Sequence, residues 1–253
     1  QECTTSAGMD SPGQDSENRA YYNAFSKNYE QVRGANDPGG YHELLDELES
    51  EFVERFGRGK DVLEVGCGTG LVLERIRRFA KSAQGLDLSP GMLEKARARG
   101  LDVILGSATA LPFADQSFDV VCSFKVLAHI SEIELALREL TRVVRPGGHV
   151  IAEFYNPNSL RGWVKRLFPA RSIAQGKRES DVLTRFDSPA AVARLLPKGT
   201  ELVAARGVRI LTPTAHLMRI PGLRQLLRYA ERALADSPLK ELGGFYVVAW
   251  KKL

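Results

Sequence analysis

Hydrophobic and polar positions follow two periods along this chain. Short apolar runs at residues 61–65, 83–88, 102–105, 118–123 and 149–154 have the character of buried strands. Between them, apolar residues recur at helical spacing. Helices are predicted over 71–79 and 89–100, and from near Ser131 to the stop signal Arg145-Pro146-Gly147-Gly148. Strands and helices that alternate in this way form a parallel sheet with helices on both faces. Upstream, Leu44, Leu45, Leu48, Phe52, Val53 and Phe56 mark the buried stripe of a helix over 41–56, closed by Gly57-Arg58-Gly59. Tyr21, Tyr22, Phe25 and Tyr29 predict a short amphipathic helix within 19–33, whereas residues 1–18 carry almost no bulky apolar side chains and are expected to form a disordered tail. Past residue 154 come a helix capped by Asp187-Ser188-Pro189, a strand over 202–210, a helix over 222–234 and a final strand over 245–251. Residues 19–253 read as one domain.

Composition narrows the partners more than the fold. The 253 residues are 43% hydrophobic and 26% charged, with a net charge of +4. Acidic residues are interspersed with basic ones, so a nucleic-acid partner is not expected. No apolar run approaches the roughly 18 residues of a membrane span. The first residues lack the charged-then-apolar pattern of a secretory leader, and a cytoplasmic location is expected. Cys3, Cys67 and Cys122 form no Cys-x-x-Cys pair, so neither a metal site nor a disulfide framework is expected.

The candidate chemistry concentrates after the first of these strands, in Glu64-Val65-Gly66-Cys67-Gly68-Thr69-Gly70. A glycine-rich turn at the end of a buried strand lets a ligand approach the backbone, and the helix that follows offers unpaired N–H groups. Dinucleotide-binding turns need G-x-G-x-x-G, with a pyrophosphate on the helix N-terminus. Here the last glycine step is two residues, and Glu64 would repel a pyrophosphate. The stretch suits a ligand with cationic groups, and a nicotinamide-dependent oxidoreductase is the weaker alternative. Asp87, Ser107–Ala108 and Phe124–His129 also fall just past strand ends, where ligands of such sheets bind.

The stretch Glu64–Gly70 resembles motif I of the class I S-adenosylmethionine (SAM)-dependent methyltransferases. Leu111-Pro112-Phe113, Ser117-Phe118-Asp119-Val120-Val121 and Leu140-Thr141-Arg142-Val143-Val144-Arg145-Pro146-Gly147-Gly148 are similar to that family's later motifs, in the right order over residues 60–155. The nearest group is the broad small-molecule one that includes the ubiquinone- and menaquinone-biosynthesis C-methyltransferases. The resemblance implies a Rossmann-like, doubly wound α/β sheet of seven strands, mostly parallel with an antiparallel final strand. It also implies N-terminal lid helices over 19–56, and acceptor-site insertions at about 156–186 and 211–242. The implied cofactor is SAM, leaving S-adenosylhomocysteine as product. Gly66, Cys67, Gly68, Thr69 and Gly70 would lie along its methionine part, with Glu64 near the ammonium. Asp87 would accept the ribose hydroxyls, and Leu88 and Met92 would flank the adenine. Ser107 and Ala108 would lie at its polar edge, where many relatives carry Asp in place of Ser107. Phe124 would border the methionine part, and Tyr22 and Tyr29 would close over the cofactor.

Methyl transfer is an in-line displacement, in which alignment of the acceptor supplies most of the rate. A base is needed only for an acceptor that must lose a proton. His129 is the candidate base or substrate contact; the alternative is a hydrogen-bonding residue at a helix start. The expected acceptor is a small molecule, lipophilic molecules included, methylated at oxygen or carbon. A catalytically idle SAM-binding module is the alternative from another class. Leu160, Trp163, Val164, Leu167 and Phe168 form an apolar stripe, and Leu223, Leu226, Leu227, Ala230 and Leu234 a second one beside Arg224, Arg228 and Arg232. Two readings stand for them: lid helices packed on the domain, or peripheral membrane contact, most of all through 160–168.

Overall fold

The apolar run Asp61–Val65 (β1) lies inside a seven-stranded sheet with the order β3-β2-β1-β4-β5-β7-β6. The computed structural model describes residues 12–33, 37–160, 162, 183–212, 214–220 and 222–253. The other strands are β2 (Ser82–Asp87), β3 (Asp102–Leu105), β4 (Phe118–Ser123), β5 (Val144–Tyr155), β6 (Thr200–Val208) and β7 (Phe245–Lys252). β1 pairs in parallel with both β2 and β4, and β7 is antiparallel to β5 and β6. The sheet is thus mostly parallel with an antiparallel last strand, as the resemblance implies.

Both faces are covered over the central strands, which is why β1, β4 and the second half of β5 are mostly buried and apolar. Successive side chains of β4 point to opposite faces. Val121 packs with α6 (Ile133–Val143) and with Val192 of α7 (Pro189–Leu195). Val120 and Cys122 instead meet Leu44, Leu48 and Phe52 of α3 (Tyr41–Gly57) and Leu227 of α8 (Leu223–Ala235). The helices between strands are α4 (Leu71–Ile76) and α5 (Pro90–Ala98), the latter started by Ser89, whose hydroxyl accepts from the Met92 N–H. The chain begins with α1 (Pro12–Phe25) and α2 (Tyr29–Val32).

Several boundaries differ from the sequence pattern. α1 starts at Pro12, so residues 12–18 of the expected tail are helical; residues 1–11 lie outside the described residues. No apolar stripe announces this start, because polar side chains tether it: Asn18 donates to the His129 carbonyl at 3.2 Å and Asn23 accepts from the Gly91 N–H at 2.8 Å. The stop signal after α6 is not a loop. β5 already begins at Val144, and Arg145–Gly148 bulge between the pairs Phe118↔Val144 and Val120↔His149. The stripe at 160–168 falls almost wholly outside the described residues. The arginines of α8 are engaged inside the fold. Arg224 pairs with Asp37, Arg228 with Glu47, and Arg232 with Glu47 and Glu51, so α8 presents no free basic row from these three residues. Among the described residues, no helix is long and apolar enough to cross a membrane.

Gly70 caps α4 in the left-handed region (φ +83°), and a Cβ there would stand 2.2 Å from Leu101 Cδ1. Its role is close packing of α4 against the α5–β3 turn. Gly70→Ala is expected to cost about 1–3 kcal/mol, read as a lower midpoint in urea denaturation. An unchanged midpoint would contradict that role.

Candidate cofactor site

The carboxyl ends of β1, β2 and β4 open into one cavity, roofed by α1 and α2 and enclosing about 1000 Å³ of empty space, part of it open solvent. Its lining brings together Glu64, Gly66, Cys67, Gly68, Thr69, Asp87, Leu88, Met92, Ser107, Ala108, Phe124, Tyr22, Tyr29 and His129. Of the sequence-predicted residues only Gly70 is not on its wall. The floor is the loop after β1. Gly66 has φ +78° and lies so close to the loop after β4 that a Cβ would meet Val126 Cγ2 at 2.0 Å. Gly68 has φ +55°, and a Cβ there would meet no protein atom within 4 Å. A side chain at Gly68 would therefore project into space rather than into the fold. Cys67 contributes backbone to the wall, while its side chain belongs to the core with Leu73 and Leu93. Burial pushes its thiol pKa well up.

Asp87 ends β2 and is fixed at both oxygens. Oδ2 accepts from the Gly68 N–H and Oδ1 from the Ser89 N–H, each at 2.8 Å. Burial pushes its pKa up, opposed by these same hydrogen bonds. Each carboxylate oxygen keeps a further lone pair for a ligand. Beyond Asp87, at the end of β3, Ser107 donates to Asp15 Oδ2 of α1 at 2.8 Å.

The opposite end holds a buried charge cluster, of which the sequence motifs announced only Glu64. Glu64 is 3% exposed and its Oε2 has no hydrogen-bond partner. Burial, then Glu49 and Asp46, push its pKa well above the carboxylate range. Lys125, just past β4, has φ +60°, a left-handed conformation unusual for a lysine. Its ammonium meets Glu49 of α3 and lies 3.7 Å from Asp46. Burial alone would lower the Lys125 pKa, but the neighbouring carboxylates, Glu49 first, override it and hold the group charged. Arg33 pairs with Asp46 and donates to the Tyr29 hydroxyl at 3.1 Å, leaving Nε buried without a partner. Behind them, on β5, Glu153 is 1% exposed and neither carboxylate oxygen has a partner. Its pKa is pushed well up by burial and then by Glu49, so the cluster favours the protonated form of Glu153. Lys125, Glu49 and Arg33 come from separate segments with no common spacing. The exposed-looking charges in apolar stretches at Glu49 and Lys125 were the available signal.

His129 sits in a turn of 3-10 helix (Leu127–His129) at the cavity mouth. Its Nδ1 lies 2.8 Å from the Leu183 carbonyl. A carbonyl only accepts, so Nδ1 carries the proton and Nε2 a free lone pair. Burial lowers its pKa, which keeps the ring neutral at neutral pH. The ring packs edge-on to Tyr22 and Tyr155, with centroids 6.4 and 5.8 Å away. Burial raises the Tyr22 pKa, so its hydroxyl stays protonated. Among the described residues, no group of His, Cys, Asp and Glu is arranged to hold a metal ion.

Residues 63–152 match the sequence family described as a methyltransferase domain. A demethylmenaquinone methyltransferase of Renibacterium salmoninarum is 45% identical over 102 residues, covering 39% of this chain and 43% of the relative. A malonyl-[acyl-carrier protein] O-methyltransferase of Erwinia pyrifoliae is 43% identical over 109 residues, covering 42% of each. The chain thus spans under half the length of these two curated relatives. Among solved structures, a SAM-dependent methyltransferase of Thermotoga maritima superposes with a TM-score of 0.66 at 21% identity, covering 93% of this chain and 99% of that one. The magnesium protoporphyrin IX methyltransferase of Synechocystis, solved with S-adenosylhomocysteine, gives 0.63 at 15% identity, covering 94% and 99%. At these identities the structures establish the shared fold. A glycine floor, an acid ending β2 and a 3-2-1-4-5-7-6 sheet define a Rossmann-like methyltransferase domain. Residues 63–152 are a methyltransferase domain, and the fold is one shared with SAM-dependent methyltransferases.

The charge cluster sets a pH dependence. A carboxyl whose folded pKa is raised adds stability below its unfolded pKa and loses it as pH rises through the folded value. Glu153 therefore makes the ligand-free chain less stable as pH rises above about 4.3, the unfolded carboxylate value. Glu153→Gln, which keeps a neutral side chain of the same shape, is expected to lose less stability than wild type between acid and mildly alkaline pH. Parallel losses in urea melts would show that Glu153 is ionised in the fold.

Proposed function

We propose that the chain transfers a methyl group from SAM to oxygen or carbon of a small molecule, with lipophilic acceptors as the expected subset. The observation that carries this reading is the complementarity of the cavity to the cofactor's polar groups. Asp87 offers carboxylate lone pairs for the two ribose hydroxyls. Glu64 Oε2 is a buried acceptor without a partner, suited to the ammonium, and Arg33 Nε is a buried donor without one, suited to the carboxylate. Gly68 leaves room for the ligand to pass over the backbone. Leu88, Met92 and Ala108 provide apolar wall for the adenine faces, and Phe124 for the methionine chain. When bound, the cofactor supplies a methyl group on a cationic sulfur.

The chain's own task is then to orient the acceptor and keep water out. Tyr22, Tyr29 and α1 cover the cavity. For an acceptor bearing a hydroxyl or an acidic C–H, His129 is the base, since Nε2 is free to take the proton. The relative named for demethylmenaquinone supports an acceptor of lipophilic type, and the one named as a malonyl-[acyl-carrier protein] O-methyltransferase supports methylation at oxygen. Peripheral membrane contact belongs to the same reading and rests on residues 160–168.

Asp87→Ala is expected to weaken S-adenosylhomocysteine binding at least about tenfold, since it removes a charged hydrogen-bond acceptor. Titration calorimetry checks this, and unchanged affinity would remove the pocket assignment. His129→Ala is expected to lower turnover about 10²-fold or more with cofactor affinity little changed; a fully active variant would exclude the base. Cofactor turnover with metabolite extract identifies active conditions. Tight binding without turnover on any extract would favour a binding module over an enzyme.

A further inference from the structure

The cavity is walled in part by a residue outside the matched methyltransferase domain. With ribose hydroxyls on Asp87 at the end of β2, the base extends towards the end of β3. There the wall consists of Leu88, Met92, Gly106, Ser107, Ala108 and, from α1, Asp15. The first members cover the faces of a flat ring. The exocyclic amino group needs a hydrogen-bond acceptor at the ring's edge.

The Ser107 hydroxyl is not free to be that acceptor. It gives its single proton to Asp15 Oδ2 at 2.8 Å. The Thr109 hydroxyl, 2.8 Å away, must then be the donor of their contact, and the Thr109 N–H donates as well, at 3.3 Å. One proton and two lone pairs exhaust a hydroxyl. The Ser107 carbonyl already accepts from the Ala110 N–H at 3.2 Å. Of the carboxylates on the cavity wall, Glu49 and Glu64 belong to the charge cluster at the other end, and Asp87 ends β2. Asp15 remains, with one oxygen steered by Ser107 and three further lone pairs available. It lies in the first turn of a 14-residue helix, where the exposed N–H groups favour a negative side chain.

We propose that Asp15, presented by α1 and oriented by Ser107, accepts the hydrogen bond of the cofactor's adenine amino group and selects for it. The proposal rests on the SAM reading of the cavity. It makes α1 part of the binding site, and Ser107 a positioning residue that acts through Asp15 rather than on the base itself.

The experiment compares the affinity of the full chain for S-adenosylhomocysteine and for S-inosylhomocysteine, in which a carbonyl replaces the amino group. The wild-type chain is expected to prefer the adenine ligand by about tenfold or more, because the carbonyl would leave Asp15 facing another acceptor. Asp15→Asn, which changes shape little and can donate to the carbonyl, is expected to bring the two affinities within about threefold. Ser107→Ala, which releases the carboxylate without removing it, is expected to give an intermediate ratio. A ratio unchanged from wild type in Asp15→Asn would overturn the proposal while leaving the cofactor reading intact. A wild-type chain that binds neither ligand would overturn the cofactor reading and the proposal with it.

Discussion

The site depends on the way the chain leaves β1. Strands run outward from it in both directions, through β2 to β3 on one side and through β4 to β5 on the other. The loops at their carboxyl ends therefore diverge, and a crevice opens where the order reverses. The loop after β1 forms the crevice floor. It lies against the loop after β4, with Gly66 so close to Val126 that no side chain fits between them. Two parts of the cavity wall are positioned relative to that contact: Asp87 through the Gly68 N–H, and Phe124 and Lys125 through the loop that Val126 anchors.

Burial of charge is the second constraint. Carboxylates at Asp46, Glu49, Glu64 and Glu153 are nearly or fully buried, and among the described residues Lys125 and Arg33 compensate them at close range. Such a cluster is costly unless ligands or protonation complete it. The raised pKa of Glu153 disfavours one of these charges. Glu64 Oε2 is left without a hydrogen-bond partner. The left-handed backbone at Lys125 fits this economy, since it belongs to the turn from which the ammonium reaches α3.

What could be read from the sequence was whatever depends on local backbone requirements. The glycines after β1 stand out because two of them line the floor with positive φ, and Asp87 because it ends an apolar run. Strand positions were legible for the same reason, since a sheet covered on both faces demands continuous apolar runs. Gly70 shows the limit: it shares the motif, yet its φ and its contact with Leu101 serve packing of α4. The charge cluster was hidden because Arg33, Asp46, Glu49, Lys125 and Glu153 meet only in the folded chain. The start of α1 was hidden because polar tethers, not an apolar stripe, dock it.

Cys67 and Cys122 are both buried, and burial pushes both thiols far from the reactive thiolate form. They differ in depth. Cys122 lies in the middle of the sheet, paired across from Glu64, whereas Cys67 belongs to the turn beneath the cavity, with its sulfur in the space beside Gly85. A thiolate reacts only once it is solvated, and local openings are less costly than global unfolding. Alkylation of Cys67 is thus a clock for excursions of the glycine turn, and that of Cys122 a clock for disruption of the sheet. The native chain carries two probes of its own breathing, one for the turn and one for the scaffold.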